Sequence, residues 1–198
     1  WHIRDETLQA ANRVLVDYHF YLPLSQSWGG GILSSSDGQR FPAKGSIRSA
    51  RAQPKYFGYQ KGVTFYSWTS DQFSQYGSKP IPTTVRDSTY VLDEIINNET
   101  ELSIVEHTTD TAGYTELIFA LFDLLGLRFS PKIRDLSDQK LYTTADIDMA
   151  AYPKLKAHVQ DLIRESRIID DWDEMLRLAG SMKTGWVTAS LIVQKLQA

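Results

Sequence analysis

The sequence predicts an α/β domain: a mixed five-stranded sheet flanked by helices, with an N-terminal helix and a C-terminal helical insertion. Three observations carry this. Runs rich in β-branched and aromatic residues recur at Ile32–Phe41, Val63–Trp68 and Leu102–Thr109. Apolar residues at helical spacing, such as Leu117, Ile118, Leu121, Phe122 and Leu125, alternate with them in the second half. The order from Ile32 is then β-β-β-α-β-α-β, and three strands in meander followed by crossover helices give a mixed sheet with helices on its faces.

The elements follow in order. Residues 5–19 read as a helix with Leu8, Ala11, Leu15 and Tyr18 on one stripe. Pro23 and the Gly29-Gly30-Gly31 run break it, and Ile32–Phe41 opens the sheet. A second strand is expected near Phe41–Ile47, a loop or elaborated hairpin over 49–62, and a third strand at Val63–Trp68. Pro80 and Pro82 precede Thr84, whose hydroxyl is placed to cap a helix with Asp87 three residues on and Val85, Thr89, Leu92 and Ile96 on one face. Leu102–Thr109 is the fourth strand, Gly113–Gly126 a buried helix, and Leu127–Phe129 the fifth strand. After Asp146 everything reads as helix, with Leu155, Val159, Leu162, Ile163 and Ile169 on one stripe and Trp172, Met175, Leu176 and Ala179 on the next. The expected divisions are an N-terminal helix and lead-in (1–30), a sheet-bearing core (31–145) and the start of a helical insertion (146–198).

With 42% hydrophobic and 23% charged residues, the 198-residue chain has ordinary globular composition, which excludes disordered, collagenous and coiled-coil classes. The absence of Cys excludes a disulfide scaffold or Cys-based zinc site and fits an intracellular protein. No charged-then-apolar leader and no long apolar run is present, so neither secretion nor a membrane span is expected. The chain begins at Trp1 rather than Met and stops at Ala198 inside an amphipathic pattern (Val187, Leu191, Leu196), as a piece of a longer protein would.

Two aspartates draw attention. Asp37 and Asp110 each stand where a strand gives way to small, turn-forming residues. In the β-β-β-α-β-α-β order the first and fourth strands lie side by side, which is the ribonuclease-H-like arrangement and turns two distant aspartates into one site. Two carboxylates so joined suit a divalent cation acting on a phosphodiester. The blander alternatives are that Asp37 opens a turn with Gly38 and that Asp110 caps the following helix. Strand alternation puts Glu106 on the face of Asp110, too far along to share its metal, and His107 on the other face in a structural role. Asp170, Asp171, Asp173 and Glu174 read as a solvated helix start, and neither a Walker loop nor an HExxH motif is present.

Charge points to the partner. Between Asp37 and Asp71 there is no acidic residue, while Arg40, Lys44, Arg48, Arg51, Lys55 and Lys61 contribute six positive charges to a chain whose net charge is −3. Tyr56, Phe57, Tyr59, Phe65, Tyr66 and Trp68 are interleaved with them. Cations for phosphates and aromatic faces for bases are a nucleic-acid footprint. The competing reading is a hairpin with a solvated cationic face and its aromatics in the core.

Several long segments carry a resemblance. Ser34-Ser35-Ser36-Asp37-Gly38-Gln39-Arg40-Phe41, Thr64–Tyr76, Glu106-His107-Thr108-Thr109-Asp110-Thr111-Ala112-Gly113-Tyr114, Trp1–Thr7 and Phe122–Pro131 resemble the catalytic domain of Tn-three family replicative transposases. The resemblance runs over nearly the whole chain. It implies an Asp-Asp-Glu transposase with a ribonuclease-H-like core, whose first and second Asp fall on Asp37 and Asp110. Its third acid, a Glu, follows a mostly helical insertion and would lie beyond Ala198; neither Glu165 nor Glu174 is assigned to it. The resemblance further implies two Mg²⁺ ions (Mn²⁺ as substitute), 3′-end cleavage and strand transfer, and DNA partners: the transposon terminal inverted repeats and target DNA. Self-association of the full-length protein and a bacterial cytoplasmic location are also implied. Two rivals remain: a catalytically inactive DNA-binding or degenerate transposase piece, and a metal-dependent phosphatase or glycosidase using the same two acids in a small closed pocket.

Overall fold

The computed structural model describes residues 4–197; Trp1–Ile3 of the N-terminal motif lie outside the described residues. The chain opens with α1 (Asp5–Phe20) and the short α2 (Pro23–Trp28), which starts on a proline whose missing N–H costs a helix nothing at that position. Then come β1 (Leu33–Ala43), the two-residue β2 (Arg51–Ala52), a single turn α3 (Pro54–Phe57), β3 (Lys61–Ser70) and β4 (Gln75–Pro82). A 3₁₀ turn at Asp87–Thr89 and α4 (Asp93–Ile96) lead to β5 (Glu106–Thr109), α5 (Glu116–Leu124) and β6 (Arg128–Phe129). The remainder comprises β7 (Leu141–Thr143), α6 (Pro153–Lys156), β8 (Val159–Leu162), α7 (Glu165–Asp170), α8 (Trp172–Lys183) and α9 (Ala189–Leu196).

The main sheet has six strands: β2-β3-β1-β5-β6 in order, with β4 sharing the outer edge of β3. β1 runs antiparallel to β3 over ten paired residues, from Ser34↔Ser70 to Ala43↔Lys61. Its other edge pairs parallel with β5 over four, Leu33↔Glu106 to Ser36↔Thr109, and β5 pairs parallel with β6. This mixed sheet with flanking helices is consistent with a ribonuclease-H-like fold.

The core lies on one side of the sheet. Tyr66, Trp68 and Ile81 from the antiparallel strands meet Val91, Leu92 and Ile95 from the following turns and Ile118, Leu121 and Phe122 from α5. Met182, Ala189 and Val193 of α8 and α9 join the same cluster. The ring of Trp68 is wholly buried and its Nε1–H donates to the Val91 carbonyl at 2.8 Å, so its one polar atom is satisfied. Asp93, equally buried, accepts from Lys79 Nζ at 2.7 Å and from the Ser190 backbone N–H at 2.8 Å, tying α9 to β4.

Several sequence expectations change. No strand forms over 41–47 beyond the end of β1 at Ala43; the third meander strand is Gln75–Pro82. Its prolines are tolerated because β4 pairs only with β3 and is an edge, where a missing N–H faces no neighbour. The helix expected from Thr84 is instead a 3₁₀ turn and a four-residue helix, with no side-chain cap. On α1 the stripe of Leu8, Leu15 and Tyr18 faces solvent, and the helix docks through Val16 and Phe20. Asn12 helps by donating to the Gln75 carbonyl at 3.1 Å. Helical spacing identifies stripes but not which one meets a partner. Val159–Leu162 is a strand paired parallel with Leu141–Thr143, not part of a helix. Trp172 and Leu176 are exposed; of the expected stripe α8 buries Ala179, and with it Met182.

Candidate active site

Asp37 does not end its strand; β1 continues through it to Ala43. What ends there is the parallel partner, since Ser36↔Thr109 is the last pair of β1 with β5. Asp37 and Asp110 are therefore the next residues on two adjacent strands, which lie about 4.8 Å apart in a sheet. Alternation turns Ser34 and Ser36 of β1, and His107 and Thr109 of β5, into the core, while Asp37 and Asp110 are exposed on the opposite, open face.

Neither bland alternative holds, since Gly38 stays inside β1 and α5 starts at Glu116 with Thr115 as its cap, but each carboxylate does bond the backbone just after it. Asp37 Oδ1 accepts from the Gly38 N–H at 2.7 Å, and Asp110 Oδ1 from the Ala112 N–H at 3.0 Å. One oxygen of each is thus fixed by the backbone and the other has no partner among the described residues. These are hard oxygen donors of the kind that Mg²⁺ or Mn²⁺ takes, and a cation that keeps several waters needs few protein ligands. Among the described residues no group of three or more acidic or His side chains is assembled for a metal.

A third carboxylate lies close by on the buried face. Asp87 is 5% exposed, and a Cβ on Gly38 would come within 3.0 Å of its Oδ2. Burial pushes its carboxyl above the usual range; Arg40 opposes that shift and the nearby Asp110 and Asp37 add to it. Arg40 Nη2 lies 3.5 Å from Asp87 Oδ2, and its guanidinium stacks 4.6 Å from the Tyr56 ring centre. These residues, with Gln53, Arg86 and Ala112, line a cleft of about 190 Å³. In sequence Asp87 reads only as part of a helix cap. The signal for its actual setting is Gly38, since a glycine inside a strand marks a close approach.

Past Asp37, β1 and β3 run on as a ribbon beyond the end of β5, flanked by β4 as far as Val63↔Pro82, with β2 and α3 at its tip. Five of the six cations named from the sequence belong to this tip. Lys44, Arg48, Arg51, Lys55 and Lys61 are all exposed, with Arg51 Nη1 donating to the Arg48 and Ala50 carbonyls. Arg40 is set apart by its bond to Asp87. The aromatics divide: Tyr66 and Trp68 are core, Phe57 fills the space above Gly62, and Tyr56, Tyr59 and Phe65 are exposed.

His107 is fully buried, as alternation predicts. Glu106 is occupied by Ser130 Oγ at 2.7 Å and Arg128 Nη1 at 3.1 Å, which hold its carboxyl below the usual range. Asp170, Asp171, Asp173, Glu174 and Glu165 are exposed on α7, α8 and the junction between them.

The profile of the family described as Tn3 transposase DDE domain matches residues 1–198. The chain is 46% identical over 197 residues to the transposase for transposon Tn501 of Pseudomonas aeruginosa, covering 99% of this chain and 20% of that protein. It is 48% identical to the transposase for transposon Tn1546 of Enterococcus faecium, with the same coverage. With the transposase for transposon gamma-delta of Escherichia coli (strain K12) the identity is 39% over 196 residues, covering 98% of this chain and 19% of that protein. The chain thus spans about a fifth of the length of the curated relatives it matches. No solved structure matches it. Among the described residues no helix is long and apolar enough to cross a membrane.

Proposed function

Because the chain belongs to the Tn3 transposase DDE domain family, we propose that Asp37 and Asp110 are two acids of a metal-dependent site that cleaves transposon ends and joins them to target DNA. The observation that carries this reading is the parallel pairing of β1 with β5, which ends at the two carboxylates on an open sheet face beside a basic ribbon. A divalent cation bound there would supply Lewis-acid neutralisation of charge on the phosphodiester. In cleavage, a water oxygen bonds to phosphorus as the bond to the 3′ oxygen breaks, and that oxygen leaves as a hydroxyl. In joining, this 3′ hydroxyl bonds to a target phosphorus, and the displaced target 3′ oxygen takes up a proton. Asp37 and Asp110 would hold that cation through their remaining oxygens, each carboxylate oriented by its own backbone N–H bond. Lys44, Arg48, Lys55 and Lys61 neutralise the DNA backbone along the ribbon, contacts that position without reading sequence. Tyr56, Tyr59 and Phe65 offer faces for unstacked bases.

The test is Asp37→Asn and Asp110→Asn in the whole protein, followed by end nicking and by DNA gel shift. Each variant is expected to lose more nicking than the about 10- to 100-fold that follows loss of an outer-shell partner, with DNA binding retained. Nicking at the wild-type rate would overturn the assignment. A second reading, that this chain binds DNA without cutting it, draws on the lack of a three-acid group among the described residues. It predicts that the isolated chain shifts DNA while failing to bind Mn²⁺.

A further inference from the structure

Behind the two aspartates runs a chain of buried polar groups that the chemistry above does not use. Tyr76 Oη donates to Ser34 Oγ at 3.1 Å, and Ser34 Oγ lies 2.6 Å from His107 Nδ1. On the other side of the ring, His107 Nε2 lies 2.8 Å from Ser36 Oγ, which lies 2.7 Å from Tyr66 Oη. The five side chains come from β4, β1, β5 and β3, and all are buried. The imidazole is stacked between these hydroxyls and the rings of Phe122 and Phe129.

The proton count limits the charge the ring can carry. A hydroxyl has one proton, and a neutral imidazole has one donor and one acceptor nitrogen. With Tyr76 donating to Ser34, the serine proton goes to Nδ1, and Nε2–H donates to Ser36, which donates to Tyr66. In the reverse direction Ser34 accepts from Tyr76 and from Nδ1–H and its own proton has no acceptor, whereas in the first direction the Tyr66 proton has none, so either tautomer leaves one buried hydroxyl proton over. An imidazolium leaves both over, so the network favours the neutral ring without choosing which nitrogen carries the proton.

The network lies where register is otherwise weakly specified. β1 and β5 share only four paired residues, and Ser34, Ser35, Ser36, Thr108 and Thr109 are five of the eight side chains involved. Short polar side chains give little apolar pattern to choose between registers. A slip of one residue would send an aspartate to the core face, and a slip of two would part the carboxylates by about 6.6 Å. His107 spans Ser34 and Ser36, the two core-facing residues leading into Asp37, and so ties one strand to the other at that point.

We propose that His107 is a positioning residue: with Ser34, Ser36, Tyr66 and Tyr76 it fixes the register of β1 against β5 and thereby the separation of Asp37 and Asp110. The proposal rests on reading those aspartates as the metal-binding pair. Its test compares His107→Phe, which keeps the stacking and cuts both bonds, with His107→Gln, whose amide oxygen and N–H replace the acceptor and donor. In the whole protein, His107→Phe is expected to lower Mn²⁺ affinity, read by electron paramagnetic resonance, and kcat for end nicking by about 10- to 100-fold, leaving KM for DNA unchanged. His107→Gln recovers most of both. A lowered melting temperature with wild-type Mn²⁺ affinity and kcat well below melting would overturn the proposal and leave His107 structural. If His107→Phe does not fold, Ser36→Ala, which retains the ring, takes its place: lowered Mn²⁺ affinity and kcat support the positioning role, and wild-type values of both overturn it. Asp37→Asn separates the two readings: if it leaves Mn²⁺ affinity unchanged, the aspartate assignment has failed; if it abolishes binding while His107→Phe does not, only the positioning role has.

Discussion

The two edges of β1 are built differently. On one side the strand pairs antiparallel with β3 over ten residues, backed by Tyr66 and Trp68 in edge-to-face contact at 4.8 Å. On the other it pairs parallel with β5 over four residues, whose shared core face is Ser34, Ser36, His107 and Thr109. The first edge chooses its register by aromatic shape and length of pairing. The second has neither, and holds its register through directional hydrogen bonds. The proposed acids lie at the second edge, so geometry there depends on the polar network more than on apolar burial.

The strongest way to break this comparison is Trp68→Ala. The ring is wholly buried and bonded to Val91, so its removal is expected to cost about 3–5 kcal/mol by chemical denaturation. A cost below about 1 kcal/mol would mean that the antiparallel edge is not what holds the sheet.

Gly38→Ala comes next and acts where the edges meet. Its Cβ would lie 3.0 Å from both Asp87 Oδ2 and Thr64 Cγ2, two buried groups with little room to yield. An expected cost of about 1–3 kcal/mol comes with slower end nicking, because the displaced strand carries Asp37. Unchanged stability and nicking would show that the pocket around Asp87 is soft.

Much of this fold is legible in sequence, and the misses have physical causes. The strands leading to Asp37 and Asp110, the α5 helix and the crossover that makes those strands neighbours all follow from periodicity and element order. β4 is hidden because Pro80 and Pro82 read as breakers, and their tolerance depends on the strand being an edge, a tertiary fact. Val159–Leu162 is hidden because apolar spacing in short segments fits helix and strand alike. The His107 network is half visible: alternation gives the buried face, but its hydroxyl partners come from strands that pairing alone brings together. Asp87 is half visible too: Gly38 marks a close approach to β1, but nothing in sequence says that the 3₁₀ turn at Asp87 is what approaches.

A pH series sharpens the contrast between the apolar and the polar edge. Burial pulls the His107 pKa down to about 3, against 6.5 for a free imidazole. The unfolded chain therefore takes up a proton that the folded chain refuses, so stability is full above pH 6.5 and declines as pH falls toward 3. Asp87, raised by burial, has the opposite sign and favours the folded state at low pH. His107→Gln should flatten the decline between about pH 6.5 and 4 relative to the parent; identical slopes would show that His107 does not stay neutral.

The smallest expected effect on stability comes from the ribbon tip, where charge serves neither edge. Lys55 and Lys61 are exposed and Lys55 lies 5.3 Å from the Tyr56 ring centre, so replacing either with Gln should change folding stability by no more than about 0.5 kcal/mol. If the ribbon tracks DNA, each replacement lowers the slope of log affinity against log salt by about 0.7–0.9, read by fluorescence anisotropy over a salt series. The change should be the same for every DNA sequence tested, because phosphate contacts carry no sequence information. An unchanged slope would make the tip a solvated cationic face, and would move the DNA path to the cleft lined by Arg40 and Arg86.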